Sequence, residues 1–146
     1  MAIQLSVATP ELHPRSTRGF GCRVEADART LRLSVAEAQS EQFLAALRTT
    51  ARVAVNFGHV VDFRSIQAKG TRIEVRQAVP AEQEAARVYA RELAEVMKRV
   101  GVPEGAERGF FHSGPLVVVR VRADVLFDQT PGSGAGVKLG ATWQRL

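Results

Sequence analysis

Residues 51–76 read ARVAVNFGHVVDFRSIQAKGTRIEVR, and this stretch predicts two consecutive β-strands. Val53, Val55 and Phe57 alternate with small or polar residues, which is the period-two pattern of a strand with one buried face. The second strand is predicted from about 65 to 77. The segment GHVVDFRS joins the two, so the chain is expected to contain a central pair of neighbouring strands.

The second of these strands places polar residues on an apolar face. Ile73 and Val75 are expected to share that face with Gln67 and Lys69, provided that Gly70 does not introduce a β-bulge that resets the alternation. An amide and an ammonium group beside core residues need polar partners. An anionic ligand in a groove would supply such partners, so this face is a candidate anion site.

Four further strands and two helices are predicted from the rest of the chain. Ser34 and Glu37 have the spacing of a capping box, which predicts the start of a helix that ends near Thr49. Pro80 suits the first turn of a second helix, which Gly101 ends. The apolar face of that helix is predicted to comprise Tyr89, Leu93, Val96, Met97 and Val100. The further strands are predicted near residues 3–9, 17–26, 31–35 and 115–129.

One of these strands has two very different faces. Arg18, Phe20 and Cys22 line one face, and Gly19 and Gly21 leave the other nearly bare. Alternate glycines in a strand mark either a bend in a barrel or the close approach of another backbone or a flat ligand. Both interpretations remain open at this point. The residues alone therefore indicate a small β-rich domain of mixed α+β class.

The composition limits the class of protein. The 146 residues suffice for one hydrophobic core, so we expect a single domain over residues 1–146. The net charge is +5, but the basic residues are scattered over all predicted elements, which argues against a nucleic-acid partner. No run of about 18 apolar residues occurs, and no basic segment precedes an apolar stretch at the N-terminus. We therefore expect a cytoplasmic protein without a membrane partner.

The sequence lacks the motifs of several common metal-binding, phosphate-binding and nucleophilic sites. The single Cys22 and the three separate histidines, His13, His59 and His112, do not have the spacing of metal ligands. The chain also has no glycine-rich loop followed by Lys-Ser/Thr and no nucleophile elbow. We predict no metal site, and we expect Cys22 to be a buried structural thiol.

Four short motifs, in order along the chain, resemble those of a known family. They are RGFG at 18–21, RVAVNF at 52–57, IQAKG at 66–70 and FDQTPGSGAG at 127–136. Together they resemble the pyridoxamine 5′-phosphate oxidase-related, FMN-binding split-barrel family. The resemblance is greatest to a small bacterial branch whose members have an FxQTPGPGAG tail. In the present chain Ser133 stands where a proline is common in that branch.

This resemblance implies a six-stranded Greek-key split barrel with two flanking helices. It also implies a homodimer that binds FMN in two grooves between the subunits. By position, Arg18 would contact the phosphate or the ring edge, and Gln67 and Lys69 would face the flavin. The bare surface at Gly19 and Gly21 would admit the flavin, and Ser34 would lie near the phosphate-binding end of its strand.

One departure from the family pattern affects the phosphate site. The Ser/Lys pair expected before the first helix is replaced by residues 36–39, AEAQ, which removes charge-assisted phosphate partners. Two functions are therefore carried forward: a flavin-dependent oxidoreductase, and a flavin-free ligand-binding or regulatory module of the same fold. Haem handling by a relative of this fold is a third and weaker alternative, because no histidine occupies a clear core-facing position.

Overall fold

Six antiparallel strands and two helices form the main body of the computed structural model, which describes residues 1–103, 105 and 114–139. The helices are α1 (Glu41–Thr49), which follows a 3-10 turn at Ala38–Ser40, and α2 (Pro80–Arg99). The strands are β1 (Ala2–Ala8), β2 (Pro14–Val24), β3 (Thr30–Ala36), β4 (Arg52–Gly58), β5 (Ser65–Gln77), β6 (Leu116–Asp128) and the short β7 (Lys138–Leu139).

The strands close into a barrel. Their order is β3, β2, β1, β4, β5 and β6, and β6 pairs back with β3 over seven residues to complete the ring. The two-residue strand β7 adds to the edge of β6. The predicted six-stranded barrel with two flanking helices is confirmed. The tail over 128–146 is predicted from its sequence to be irregular and to pack on the barrel or on the partner subunit. The structure describes it only as far as residue 139, so Trp143 lies outside the described residues, as does His112.

The barrel interior is filled by aliphatic side chains from β1, β3, β4, β5 and β6. Leu5, Leu33, Val55 and Val119 are completely buried, and Phe43 of α1 packs into the same cluster. Full burial of an aliphatic or aromatic side chain of this size stabilises a fold by about 1.5–3 kcal/mol. Helix α1 is therefore part of the core, and its position relative to the strands is fixed by packing.

Helix α2 contacts the barrel through small residues. Its buried side chains are Ala86, Ala90, Ala94 and Leu93. Ala86 packs with residues of three strands, namely Phe20, Ala36 and Leu116. The predicted bounds of α2 are confirmed, but its predicted apolar face is only partly correct. Leu93 is buried, whereas Val100 is 43% exposed.

The predicted capping box at the first helix is wrong. Ser34 lies inside β3, where it pairs with Val118, and β3 continues to Ala36. Helix α1 begins only at Glu41, and Ser40 before it makes no side-chain capping hydrogen bond. The pairing of β3 with β6 extends the strand past the helix signal, because ladder hydrogen bonds and burial outweigh a local cap.

Strand β5 has a bulge at Ile73, whereas the register shift at Gly70 comes from an extra residue, Asp124, on β6. Strand β5 advances by two residues, from Arg72 to Glu74, while β6 advances by one, which leaves Ile73 without a partner. Val75 consequently points to the same side of the sheet as Arg72. The prediction of one continuous face from the polar residues through Ile73 and Val75 is therefore wrong.

A second irregularity divides the predicted face of β2. The register with β3 shifts between Gly19 and Cys22, where Gly21 has a φ of 105°. Phe20 packs under α2, whereas Cys22 packs against the barrel core. Arg18, Phe20 and Cys22 therefore do not share one face, because the positive φ at Gly21 turns the chain between them.

Six alternating charges form a closed ring of ion pairs between the barrel surface and α2. Successive nitrogen–oxygen distances run from 2.7 to 3.9 Å. The hydrogen bonds from Arg76, and a backbone hydrogen bond from Val79, lower the pKa of Glu82 to about 2. The members in order are Glu25, Arg32, Glu82, Arg76, Glu74 and Arg120.

No helix within residues 1–103, 105 and 114–139 is a candidate membrane span. Neither α1 nor α2 is long and apolar enough to cross a bilayer.

Candidate ligand groove

A row of side chains crosses the outer surface of five neighbouring strands. Gln4 of β1 lies opposite Arg18 of β2 on one side and Asn56 of β4 on the other. Asn56 lies opposite Gln67 of β5, which in turn lies opposite Phe127 of β6. Because directly opposite residues point to the same side of a sheet, the row presents a guanidinium, three amides and an aromatic ring on one surface.

A second row lies beside the first. Lys69 of β5 is opposite Ala54, which is opposite Ser6, and Ser6 is opposite Ser16 of β2. The ammonium nitrogen of Lys69 lies 4.9 Å from the centroid of the Phe127 ring, within the range of a cation–π contact. Lys69 thus adds a second positive charge at the β5 side of the surface, and Ser16 adds a hydroxyl at the β2 side.

The groove itself lies over β2, β1 and β4. It has a volume of about 380 Å³. Its lining combines one guanidinium with hydroxyl and amide groups, so it offers hydrogen-bond donors and acceptors beside apolar surface. The lining residues are Ala2, Ile3, Gln4, Ser16, Thr17, Arg18, Asn56 and Gly58.

Two of the predicted site residues are brought together by this arrangement, and a third lies close by. Arg18 lines the groove, Gln67 continues its row, and Lys69 lies one pair further along β5. Sequence reasoning missed Gln4 and Asn56, which bridge Arg18 to Gln67. The available signal was a polar residue at an outward position of each strand, but the alternation does not reveal which strands are neighbours.

The bare face of the glycines in β2 is occupied by protein. A Cβ on Gly19 would lie 2.7 Å from Cγ2 of Ile3, so this glycine makes room for a core side chain. A Cβ on Gly21 would meet the Tyr89 side chain at 3.8 Å. The expectation that this surface admits a flat ligand is therefore wrong. A contact between the Gly19 backbone and a cofactor stays a prediction.

Ser34 is not among the residues that line the groove. It is 8% exposed and lies in β3 opposite Val118. By strand alternation it points to the same side as Arg32, which pairs with Glu82 of α2. Its predicted position near a phosphate-binding strand end stays a prediction.

The start of α1 offers few groups to a phosphate. The positions before the helix are Ala38, Gln39 and Ser40, which bring no positive charge. Ser40 is 1% exposed, and its hydroxyl is 2.6 Å from that of Thr17, so it is already engaged inside the fold. The donor set of the groove is of the kind that could bind the polar edge of a flavin ring, and Arg18 is the cation of the groove that could pair with a phosphate.

The tail motif FDQTPGSGAG lies at one end of this surface. The backbone N–H of Gln129 donates to the carbonyl of Ser65 at 2.8 Å, and the N–H of Ser65 donates to the Thr130 hydroxyl at 3.1 Å. Ser65 is also 3.3 Å from the amide nitrogen of Asn56. The motif therefore connects β6 to the start of β5 and supports the position of Asn56 in the groove.

Hydrogen bonds to Asp128 join the start of the motif to its end. The N–H of Gly136 donates to the Asp128 carbonyl at 2.7 Å, and the N–H of Thr130 donates to its carboxylate at 2.7 Å. That backbone hydrogen bond lowers the pKa of Asp128. The conformation is consistent with the glycine-rich sequence, since Gly132 and Gly136 both have positive φ.

The residues described include no candidate metal site. They hold no group of three His, Cys, Asp or Glu side chains that could bind a metal. Nδ1 of His59 is 2.6 Å from the carboxylate of Asp62, within the β4–β5 connection. Burial raises the pKa of Cys22 to about 12, which disfavours the thiolate that a nucleophilic cysteine requires.

Comparisons with known proteins identify the fold of the chain. No family model matches the chain, and no curated protein matches it. Among solved structures, it is similar to HupZ of Group A Streptococcus, with 18% identity, a TM-score of 0.52 and coverage of 92% of this chain and 90% of that one. A Clostridium acetobutylicum protein of the pyridoxinephosphate oxidase family, related to general stress protein 26, has 13% identity, a TM-score of 0.53 and coverage of 94% and 85%.

A third solved structure agrees with these two. It is a candidate pyridoxamine 5′-phosphate oxidase of Lactobacillus delbrueckii, with 14% identity, a TM-score of 0.50 and coverage of 86% of this chain and 83% of that one. At such low identity the likeness concerns the fold. The chain therefore has the split-barrel fold of the pyridoxamine 5′-phosphate oxidase-related proteins.

Proposed function

We propose that this protein binds FMN and acts as a flavin-dependent oxidoreductase related to pyridoxamine 5′-phosphate oxidase. The main support is the row Arg18, Gln4, Asn56 and Gln67, which presents a cation and three amides along one surface of a split barrel. Amide side chains can both donate to and accept from the polar edge of an isoalloxazine ring. The sequence motifs that resemble the FMN-binding family include three members of this row, namely Arg18, Asn56 and Gln67.

Each positive group has a distinct role in this proposal. Arg18 would bind the phosphate or the ring edge from β2, and Lys69 would approach the ring from β5. Bound FMN would supply the redox chemistry, while the protein supplies binding, orientation and electrostatics. A positive side chain near the ring favours the anionic reduced form, so Lys69 would raise the reduction potential of the flavin.

A homodimer forms part of the proposal. Several apolar side chains of β5 and of the connection before it are exposed, which favours their burial against a second copy. They are Val61, Phe63, Ile66 and Ile73, with exposed fractions between 43% and 68%. Light scattering after size-exclusion chromatography should give twice the 15.9 kDa mass of one chain. A single-chain mass at micromolar concentration would contradict the dimer.

The ligand contacts can be tested by substituting the two cations. Arg18→Ala should weaken FMN binding by about tenfold or more, because a charge-assisted hydrogen bond is lost. Lys69→Ala should weaken it by about threefold to tenfold, since Lys69 is exposed. Titration of FMN with each variant, followed by flavin fluorescence, measures both effects.

Matched controls come from α2. Arg87→Ala and Lys98→Ala remove exposed cations that pair with carboxylates on the same helix. Both should bind FMN as the wild type does. If Arg18→Ala and Lys69→Ala also retain wild-type affinity while folding normally, FMN does not bind through this row.

The alternative is a flavin-free ligand-binding or regulatory module of the same fold. The observation that favours it is the start of α1, where no basic side chain stands before the helix and the Ser40 hydroxyl is engaged with Thr17. A colourless wild-type protein that leaves FMN fluorescence unchanged would favour this second function.

A further inference from the structure

A second cavity lies between α1 and the inner side of β5. Its volume is about 470 Å³. Leu44 and Leu47 of α1 form one apolar wall, and Val75 and Val117 form the other. The bulge at Ile73 is what brings Val75 to this side. None of the residues that line this cavity also lines the groove over β2, β1 and β4.

The side chain of Arg72, which lines this cavity, has a buried hydrogen-bond donor without a partner among the described residues. Its Nε is fully buried and makes no hydrogen bond in the part of the chain described. A buried N–H without an acceptor is unfavourable, so native proteins rarely contain such an unpaired donor. Since Arg72 lines the cavity, a ligand with acceptor oxygens there could satisfy that donor.

The charges around the cavity also favour an anion. Arg48, Arg72 and Arg76 line it, together with the carboxylate of Glu37. Arg76 is held by two hydrogen bonds to Glu82 at 2.7 Å. Within the described residues, neither Arg48 nor Arg72 has an ion pair, so two uncompensated cations face one carboxylate.

The side chain of Glu37 is engaged in its own contact. Its carboxylate accepts hydrogen bonds from Nε2 of Gln77 at 3.2 and 3.3 Å. This contact spans the cavity from the end of β3 to the end of β5. Glu37 would repel an anion placed beside it, so the anionic group belongs at the side of Arg48 and Arg72.

We propose that this cavity binds a small organic anion, a carboxylate or a phosphate monoester with an apolar body. Arg48 and Arg72 hold the charged group, and the four aliphatic side chains contact the apolar part. An oxygen of the anion accepts a hydrogen bond from Nε of Arg72. The site is independent of the FMN groove, since the two share no lining residue.

Binding can be measured with 8-anilinonaphthalene-1-sulfonate, an aromatic anion that becomes fluorescent in apolar surroundings. The wild type should bind it saturably, and Arg72→Met should weaken binding by about tenfold or more, because a charge-assisted contact is lost. Arg48→Met should weaken it by about threefold or more. Arg52→Met is the control, since this exposed arginine of β4 pairs with Asp124 and lies outside the cavity.

Competition with benzoate and with phenyl phosphate then identifies the charged group. Displacement by benzoate alone indicates a carboxylate site, and displacement by phenyl phosphate alone indicates a phosphate site. Arg72→Met should melt no lower than the wild type, since the substitution removes an unpartnered buried donor, and it should bind FMN unchanged. Equal probe binding by all four proteins, or no displacement by either competitor, would overturn the proposal.

Discussion

Gly70→Ala should destabilise the protein by about 2–4 kcal/mol, because an added Cβ has no space at this position. Such a Cβ would collide with the backbone carbonyl oxygen of Arg122 and would lie 3.0 Å from Cα of Ala123. Both obstacles are main-chain atoms of β6, which cannot rotate away as a side chain could. The register between β5 and β6 shifts at this point, so the two backbones are unusually close.

Gly58 provides a matched control in the neighbouring strand. No atom lies within 4 Å of the position that a Cβ would take there. Gly58→Ala should therefore be neutral or stabilise the fold by up to about 1 kcal/mol, through the reduced freedom of the unfolded chain. Urea unfolding at 25 °C measures both changes. Equal stability of the two variants would show that the close approach at Gly70 is not part of the native structure.

Glu82→Gln should reduce the free energy of unfolding by about 2 kcal/mol at pH 7, because it removes the charged acceptor of the ion-pair ring. The Glu82 carboxylate accepts two hydrogen bonds from Arg76 at 2.7 Å, and its side chain is only 13% exposed. Glutamine keeps the shape of the side chain and an oxygen for the N–H of Val79, which the carboxylate binds at 3.0 Å. The loss in the free energy of unfolding therefore measures mainly the contribution of the negative charge.

Lowering the pH should remove the difference in the free energy of unfolding between Glu82→Gln and the wild type. The folded pKa of Glu82 is about 2, below its ordinary value of 4.5, so the carboxylate stabilises the fold above pH 4.5. That contribution is lost as the pH falls from 4.5 through about 2, and the two unfolding curves should converge over this window.

Glu84→Gln is the control for this experiment. Glu84 lies on the same helix and pairs with Arg87 and Arg91, but its side chain is 55% exposed. Its substitution should change the free energy of unfolding by less than about 0.5 kcal/mol. If Glu82→Gln is as stable as Glu84→Gln at pH 7, the ring does not stabilise the contact between α2 and the barrel.

Much of the fold could be predicted from alternation and turn signals. The bounds of β4, β5 and α2 follow from the patterns around Val53 and Val55 and from Pro80. The bulge at Ile73 could not be predicted, because it arises from the pairing of β5 with β6 and involves no glycine at that position. Likewise, the Ser34 helix signal is overridden by pairing with β6, which no local pattern reveals.

The candidate groove was only partly predictable for a related reason. Arg18 and Gln67 were identified as site residues, but they are far apart in sequence and join only through Gln4 and Asn56. Strand order decides which outward residues become neighbours, and it is a property of the whole sheet. The cavity at Arg72 was missed entirely, because its lining depends on the bulge in β5.

The central claim is that FMN binds on the row from Arg18 to Gln67, and a ¹H–¹⁵N NMR titration of the wild-type protein with FMN tests it most directly. The account predicts saturable shifts for Gln4, Arg18, Asn56 and Gln67, including the side-chain amides, with little change at Arg72. Spectra that do not change, or shifts confined to the cavity at Arg48 and Arg72, would contradict it.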